Sequence, residues 1–171
     1  MALPEALRAA LAGPAELSPQ DIADLRADLG VRPLAEALAG TTDHNSRAYK
    51  SARDQLSRYA RGGRKAAPAR TDRLRGIAQR LRTQRLRAAG ASATIVGNVT
   101  VNGSDNDTRW RTVSLDGGSR LTGADLTPTL NLANRGDWEG AADAFQSAAA
   151  RRWGFPPDAV EFADTERVTL T

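Results

Sequence analysis

The sequence predicts an α+β protein, with a helical first half followed by a small mixed domain. Over residues 1–90, apolar residues recur at the three- and four-residue spacing of amphipathic helices. From residue 91 onward, short runs rich in β-branched residues flank two more helical patterns, in the order β-β-α-α-β-β. We therefore divide the chain into a helix-turn-helix-like domain (1–61), a basic linker with an Arg-rich helix (62–90) and a small α+β domain (91–171).

Three short helices are predicted in the first part of the chain. A leucine at every fourth position predicts the first helix, over Pro4–Ala12. Ser18 is a favourable N-cap and Pro19 is tolerated at the first helical position, so a second helix begins there and ends at Gly30. Val31–Ala39 is predicted to form the third helix.

A longer helix is predicted over Ser46–Arg61, after a segment rich in turn residues. One of its faces carries an apolar stripe, and the other faces carry basic residues. The apolar stripe consists of Tyr49, Ala52, Leu56 and Tyr59. A short apolar helix, a turn with glycine and a basic amphipathic helix follow the order of a helix-turn-helix, here with a longer turn than usual. An ordinary helical hairpin with a basic outer face is the alternative.

Gly62–Pro68 is predicted to be a flexible basic linker, since its glycine pair and its proline interrupt a helix. A second basic helix follows over Thr71–Ala89, with Leu74 and Ile77 among its inward-facing residues. Like charges along the outer face repel each other unless a polyanion neutralises them. Because guanidinium groups bind phosphate in a bidentate manner, we expect this helix to lie along a phosphate backbone.

Positive charge is concentrated in one segment of the chain. Residues 47–87 hold fourteen of the 24 lysines and arginines but only two of the 20 acidic residues, so the rest of the chain is net acidic. A segregated cationic segment is typical of a protein with a polyanionic partner, most often nucleic acid. A solvated arginine-rich surface is the alternative.

The composition excludes several other classes of protein. The absence of cysteine excludes disulfides, thiolate metal sites and cysteine nucleophiles. No run approaches the roughly 20 apolar residues of a membrane span. The first residues also lack the pattern of a signal peptide. We therefore expect a cytoplasmic, nucleoid-associated protein with no membrane partner.

The second half is predicted to begin with two strands. Ala93–Val101 is rich in β-branched residues and predicts a strand, or a tight hairpin that turns at Gly97-Asn98. A polar, acidic loop over Asn102–Thr108 follows. Trp110–Leu115 then alternates between polar and apolar residues and predicts the second strand.

Two helices and two short strands complete the second half. Thr127-Pro128 is expected to cap the first helix and Asp137 the second. Val160–Phe162 and Val168–Leu170 are predicted to be separate short strands. One strand followed by two helices, over Trp110–Trp153, also has the order of a ribbon-helix-helix unit, which dimerises by pairing its strands. A homodimer formed through this half is therefore one alternative, and a monomeric domain is the other.

Residues with catalytic potential are few. His44 is the only histidine and is expected to be a cap or a phosphate contact. No glycine-rich phosphate loop is present. Glu161, Asp164 and Glu166 are expected to coat an exposed strand edge. We predict neither a metal site nor a tightly bound cofactor, and we do not expect a self-sufficient enzyme.

Six segments, taken in their order along the chain, carry a resemblance to a known family. They are Val31–Gly40, Leu56–Tyr59, Gln79–Ala89, Ala93–Val101, Arg111–Leu115 and Asp158–Phe162. In this order they resemble the telomere-capping terminal proteins of linear actinomycete chromosomes and plasmids. In that family a helix-turn-helix precedes an arginine-rich helix, a loop with Thr or Ser beside Asp, and a small α+β domain.

The resemblance implies a covalent role at DNA ends. A family member is attached to the 5′ end of the DNA, where its hydroxyl accepts the first deoxynucleotide, alongside a telomere-associated helper protein and a DNA polymerase. The priming residue lies in the loop before the strand at Arg111, where this chain offers Ser104 as the better match and Thr108 as the second. The transfer step would require Mg²⁺ or Mn²⁺.

Two other functions are compatible with the sequence. A dimeric helix-turn-helix regulator of transcription or plasmid maintenance would read two half-sites of an operator. An interaction module with an acidic partner-binding half would bind DNA weakly and without sequence preference. The residues predicted to contact DNA, whether telomeric or operator, are Arg47, Lys50, Arg53, Arg58, Arg61, Arg64, Lys65, Arg73, Arg80 and Arg85.

Overall fold

The computed structural model describes residues 1–14, 16–63, 67–102 and 107–171, and of Asp107 it describes only the backbone. Within these ranges, helices make up the first half and the antiparallel sheet lies in the second, so the α+β class is confirmed. No helix within the described ranges combines the length and the hydropathy needed to cross a membrane.

The chain divides into two units. The helical unit is Leu11–Arg82, and the mixed unit combines Met1–Ala10 with Thr83–Thr171. The predicted boundaries after residues 61 and 90 lie inside these units, and the division into three domains stays a prediction.

The helices predicted in the first half are confirmed. They are α1 (Leu3–Ala12), α2 (Pro19–Leu29), α3 (Val31–Ala39), α4 (Arg47–Ala60) and α5 (Pro68–Ala89). The last of these begins three residues earlier than the predicted Thr71, at a proline, whose fixed φ and missing N–H suit the first turn of a helix.

Side-chain caps determine where α2 and α4 begin. The Ser18 hydroxyl accepts from the Asp21 amide, and the Asp21 carboxylate accepts from the Ser18 amide, which completes a capping box. The Ser46 hydroxyl accepts from the Tyr49 amide at the start of α4. Such caps contribute about 1 kcal/mol each, because they satisfy amides that the helix itself leaves unpaired.

One apolar cluster holds the helical unit together. The predicted stripe of α4 lies within it, since Tyr49, Ala52, Leu56 and Tyr59 are all buried. Residues from α2, α3 and α5 complete the cluster, namely Ile22, Leu25, Leu34, Ala35, Leu74, Ile77 and Ala78. With this face buried, the opposite face of α4 is left for solvent.

The mixed unit contains a three-stranded antiparallel sheet and two helices. They are β1 (Ala93–Val101), β2 (Asp107–Leu115), α6 (Gly123–Asn134), α7 (Trp138–Trp153) and β3 (Val160–Leu170), with a short 3₁₀ helix at Gly117–Ser119. The strand order is β2-β1-β3. The helices α6 and α7 pack on each other, and α7 packs on the sheet, where Phe145 is fully buried.

The strand β1 is continuous, so the alternative hairpin at Gly97-Asn98 is wrong. A Cβ on Gly97 would lie 2.2 Å from the carbonyl oxygen of Asp164 on β3. The glycine therefore permits a close approach of two strands and does not mark a turn.

The prediction of two short strands at the C-terminal end is also wrong, because β3 is one strand with two irregularities. Its register against β1 shifts between Val96 and Gly97 and again between Asn98 and Val99. Each shift adds an unpaired residue to β3 and interrupts the polar–apolar alternation that the prediction relied on. The order in the described residues is accordingly β-β-α-α-β.

The first helix of the mixed unit begins before the predicted Thr127-Pro128 cap. Thr122 is the N-cap and forms a capping box with Asp125, and Pro128 lies inside the helix. Burial raises the pKa of Asp125, but hydrogen bonds from Thr122 and from Arg152 outweigh burial and lower that pKa below its usual value. The predicted cap of α7 at Asp137 is confirmed.

Candidate nucleic-acid interface

The solvent face of α4 carries most of its basic residues. Successive residues of an α-helix are about 100° apart around its axis. The face opposite the buried stripe therefore carries Arg47, Asp54 and Arg58, with Lys50 and Arg61 beside them. All five are exposed. The packing of the helix against the core therefore turns a row of cations toward solvent.

The turn before α4 is ordered by hydrogen bonds of its own. Gly40 ends α3 with a φ of 68°, a left-handed conformation that favours glycine. The Asp43 carboxylate accepts from the Asn45 amide, and the Ser46 hydroxyl donates to the Asp43 carbonyl oxygen. These contacts connect α3 to α4 through a turn that is longer than in a typical helix-turn-helix, as the sequence predicted.

His44 lies in this turn and contacts α3. Its Nε2 is 2.6 Å from the Glu36 Oε1, which also accepts from Arg32 Nε at 2.8 Å. The His44 ring packs on Tyr49, with the ring centroids 4.6 Å apart. Hydrogen bonds from Arg32 and then from His44 lower the pKa of Glu36. The histidine thus bridges the turn and α3.

A cleft of about 510 Å³ runs along the basic face of α4. We call it the α4 cleft. Its cationic lining residues are Arg47, Lys50 and Arg58 of α4 and Arg70 of α5, and its other lining residues are Asn45, Ser51, Asp54, Gln55 and Tyr59. Four cations around one carboxylate leave the cleft with a net positive charge.

Arg70 was not among the residues predicted to contact DNA. Its Nη1 donates to the Tyr59 hydroxyl at 2.9 Å and to the Gln55 Oε1 at 3.1 Å. Arg70 remains exposed, so the guanidinium is held on one side and open to solvent on the other. Only the basic composition of the segment pointed to this residue, because its place in the cleft depends on how α5 packs on α4.

The structure separates the predicted α4 contacts into two groups. Arg47, Lys50 and Arg58 meet at the α4 cleft, and Arg61 follows them at the C-cap. Arg53 is exposed but lies roughly 120° around the helix from Arg47 and does not line the cleft.

The arginines of α5 differ in their availability. Arg73 is exposed but donates to the Leu38 carbonyl oxygen at 2.8 Å. Arg80 and Arg85 are exposed as well. Arg82 pairs with Asp28, and Arg87 donates to Asn131. The positive charge that α5 offers to a polyanion is therefore smaller than its sequence suggests.

Several predicted site residues lie elsewhere. Arg64, Lys65 and Ser104 fall outside the described residues. Thr108 is the second residue of β2, not part of the preceding loop, because its backbone pairs with Thr100 of β1. Its exposed hydroxyl lies 2.9 Å from that of Thr100.

No metal centre is formed by the described residues: none of their histidine, aspartate and glutamate side chains come together in a group of three or more that could hold an ion. No family model matches the chain, and neither a curated protein nor a solved structure shows a significant match to it.

Proposed function

We propose that this chain binds double-stranded DNA, with α4 as the helix that enters the major groove. The observation that carries the proposal is the α4 cleft, where three exposed cations of α4 are joined by Arg70 of α5. An α-helix fits the major groove, and basic residues along it neutralise the flanking phosphates. The order α3, turn, α4 agrees with a helix-turn-helix, in which the second helix is the one that reads DNA.

Arg70 is proposed to be a phosphate contact. A guanidinium already fixed by a neighbour loses less conformational freedom when it binds phosphate than a free side chain does. Tyr59 and Gln55 supply that restraint for Arg70. Arg80, which is exposed further along α5, would add an electrostatic contact that does not depend on sequence.

Duplex binding measured by fluorescence anisotropy over a series of salt concentrations tests this proposal. We expect Arg58→Gln to weaken binding and to reduce the slope of log affinity against log salt by about one. Arg135→Gln is the matched control, since it removes an exposed arginine that follows α6 in the mixed unit. Equal effects of the two substitutions would contradict a DNA interface at α4.

The more specific role at DNA ends is a second proposal and rests on the family resemblance. One structural observation supports the role at DNA ends, namely that Thr108 is exposed. The residues described offer no ligand set for Mg²⁺ or Mn²⁺, so we assign no step to a metal held by this chain. The hydroxyl of Ser104 or Thr108 would lose its proton and attack the α-phosphate of a deoxynucleoside triphosphate, which releases pyrophosphate, and the helper protein and polymerase would supply the rest of the active site.

A transfer assay separates this role from that of a dimeric regulator. Protein is incubated with labelled deoxynucleotide, a divalent metal and an extract that contains the polymerase and the helper, alongside Ser104→Ala and Thr108→Ala. Label that disappears in one variant would support priming at that residue. No label, in an extract that labels a known terminal protein, would favour the regulator, for which we expect a dimer on a palindromic site.

A further inference from the structure

Among the residues that the structure describes, Asp54 is the one acid that lines the α4 cleft. It is exposed and lies opposite the buried stripe of α4. Lys50 and Arg58 are four residues away on either side, and Arg47 and Arg61 are seven residues away. A carboxylate therefore stands at the centre of the face that we propose to enter the major groove.

This carboxylate has no ion-pair partner within 4.0 Å in the described part of the chain, although Lys50 and Arg58 are at ion-pairing spacing along the helix. Structural ion pairing therefore does not account for the position. For a surface that only binds phosphates, an acid at this point is unfavourable, because it repels the phosphates that the cations attract.

Gln55 and Ser51, two other polar residues of the cleft, already hydrogen-bond within the chain. The Gln55 amide accepts from Arg70 and donates to the Ser51 hydroxyl at 3.3 Å. Among the described residues that line the cleft, Asp54 is the one charged acceptor. In the major groove, cytosine presents an amino group as a donor, and Asp and Glu are the side chains that accept from it.

We propose that Asp54 determines base specificity by accepting a hydrogen bond from a cytosine amino group in the major groove. This inference rests on the proposed function and adds to it, because it makes DNA binding by this chain sequence-specific. The cations around Asp54 hold the phosphates on either side, and the carboxylate disfavours bases that present only acceptors at its position.

Selection from a library of randomised duplexes tests the inference, using the full chain, Asp54→Ala, Asp54→Asn and the control Asp72→Asn. Asp72 is the other acid of the basic segment, but it lies on α5 beside Arg75 and does not line the cleft. We expect the unsubstituted chain to select cytosine at one fixed position. Asp54→Ala should lose that preference, Asp54→Asn should shift it toward adenine, and Asp72→Asn should keep it.

Fluorescence anisotropy gives the size of the base preference. It compares affinity for the selected duplex with affinity for a duplex in which the selected cytosine pair is replaced. Replacement of that base pair should weaken binding of the unsubstituted chain by about 5- to 150-fold and leave Asp54→Ala almost unaffected. An unchanged preference in Asp54→Ala would overturn the inference. Binding without any selected sequence would also overturn it while leaving the proposed function intact, whereas no duplex binding at all would remove both.

Discussion

At the scale of single residues, Tyr59 connects the core of the helical unit to the proposed interface. Its ring is buried in the apolar cluster, and its hydroxyl accepts from Arg70. Tyr59→Phe keeps the ring and removes the hydroxyl, so we expect a loss of about 1 kcal/mol of stability. DNA affinity should fall severalfold because Arg70 loses its restraint, as measured by thermal unfolding and anisotropy on the same samples.

Tyr49→Phe is the control for that prediction. Tyr49 belongs to the same buried stripe, but it is not among the residues that line the α4 cleft, and the hydrogen bonds of Arg70 go to Tyr59 and Gln55. Its substitution should leave DNA affinity unchanged. If both substitutions weakened binding equally, the effect would come from the packing of α4 and not from the position of Arg70.

Glu36 gives a residue-scale prediction about pH. Its pKa is lowered in the folded state from the usual 4.5 by Arg32 and His44. A lowered folded-state pKa contributes stability that is present above the unfolded value and is lost as the pH falls through the folded value. Glu36→Gln should therefore make the urea midpoint fall less steeply as the pH is lowered below 4.5. A midpoint that falls with pH as steeply as in the unsubstituted chain would contradict this prediction.

At the scale of elements, the β1–β3 pairing depends on Gly97. A Cβ there would meet the backbone of Asp164 and Thr165 at 2.2 and 2.8 Å, so Gly97→Ala must push the two strands apart. We expect a loss of roughly 1–3 kcal/mol in the free energy of unfolding, the usual cost of overpacking. Gly118→Ala, which meets no atom within 4 Å, should have little effect in the same denaturation experiment.

The elements also show how far the sequence could predict the structure. Periodicity predicted α1–α5 because each helix buries apolar residues, and the Ser18 cap predicted the start of α2, but the start of α5 was missed by three residues. The unbroken β3 was not predicted because its bulges disturb the alternation, and the start of α6 was missed because Pro128 was taken for a boundary. The α4 cations were predicted, but the Arg70 contacts were not, since they join residues 11 and 15 positions apart on different helices.

At the scale of the whole molecule, the segregation of charge is the feature that links sequence to function. The basic segment lies in the helical unit as far as Arg82, and that unit contains the α4 cleft. The sheet of the mixed unit carries Glu161, Asp164 and Glu166 on the exposed positions of β3, as predicted. A polyanion is therefore expected to bind the helical unit, while the acidic strand β3 repels it.

The proposed function depends on DNA binding along α4, and site-specific crosslinking measures where on the chain DNA lies. Because the sequence has no cysteine, Ser51→Cys in the α4 cleft and Ser114→Cys on β2 each give a unique attachment point for a photoactivatable benzophenone. Both serines are exposed. We predict a DNA adduct from the label at position 51 that high salt abolishes, and only background from position 114. Equal or stronger crosslinking from position 114, with duplex affinity retained in both proteins, would contradict the assignment of α4 as the DNA-binding helix.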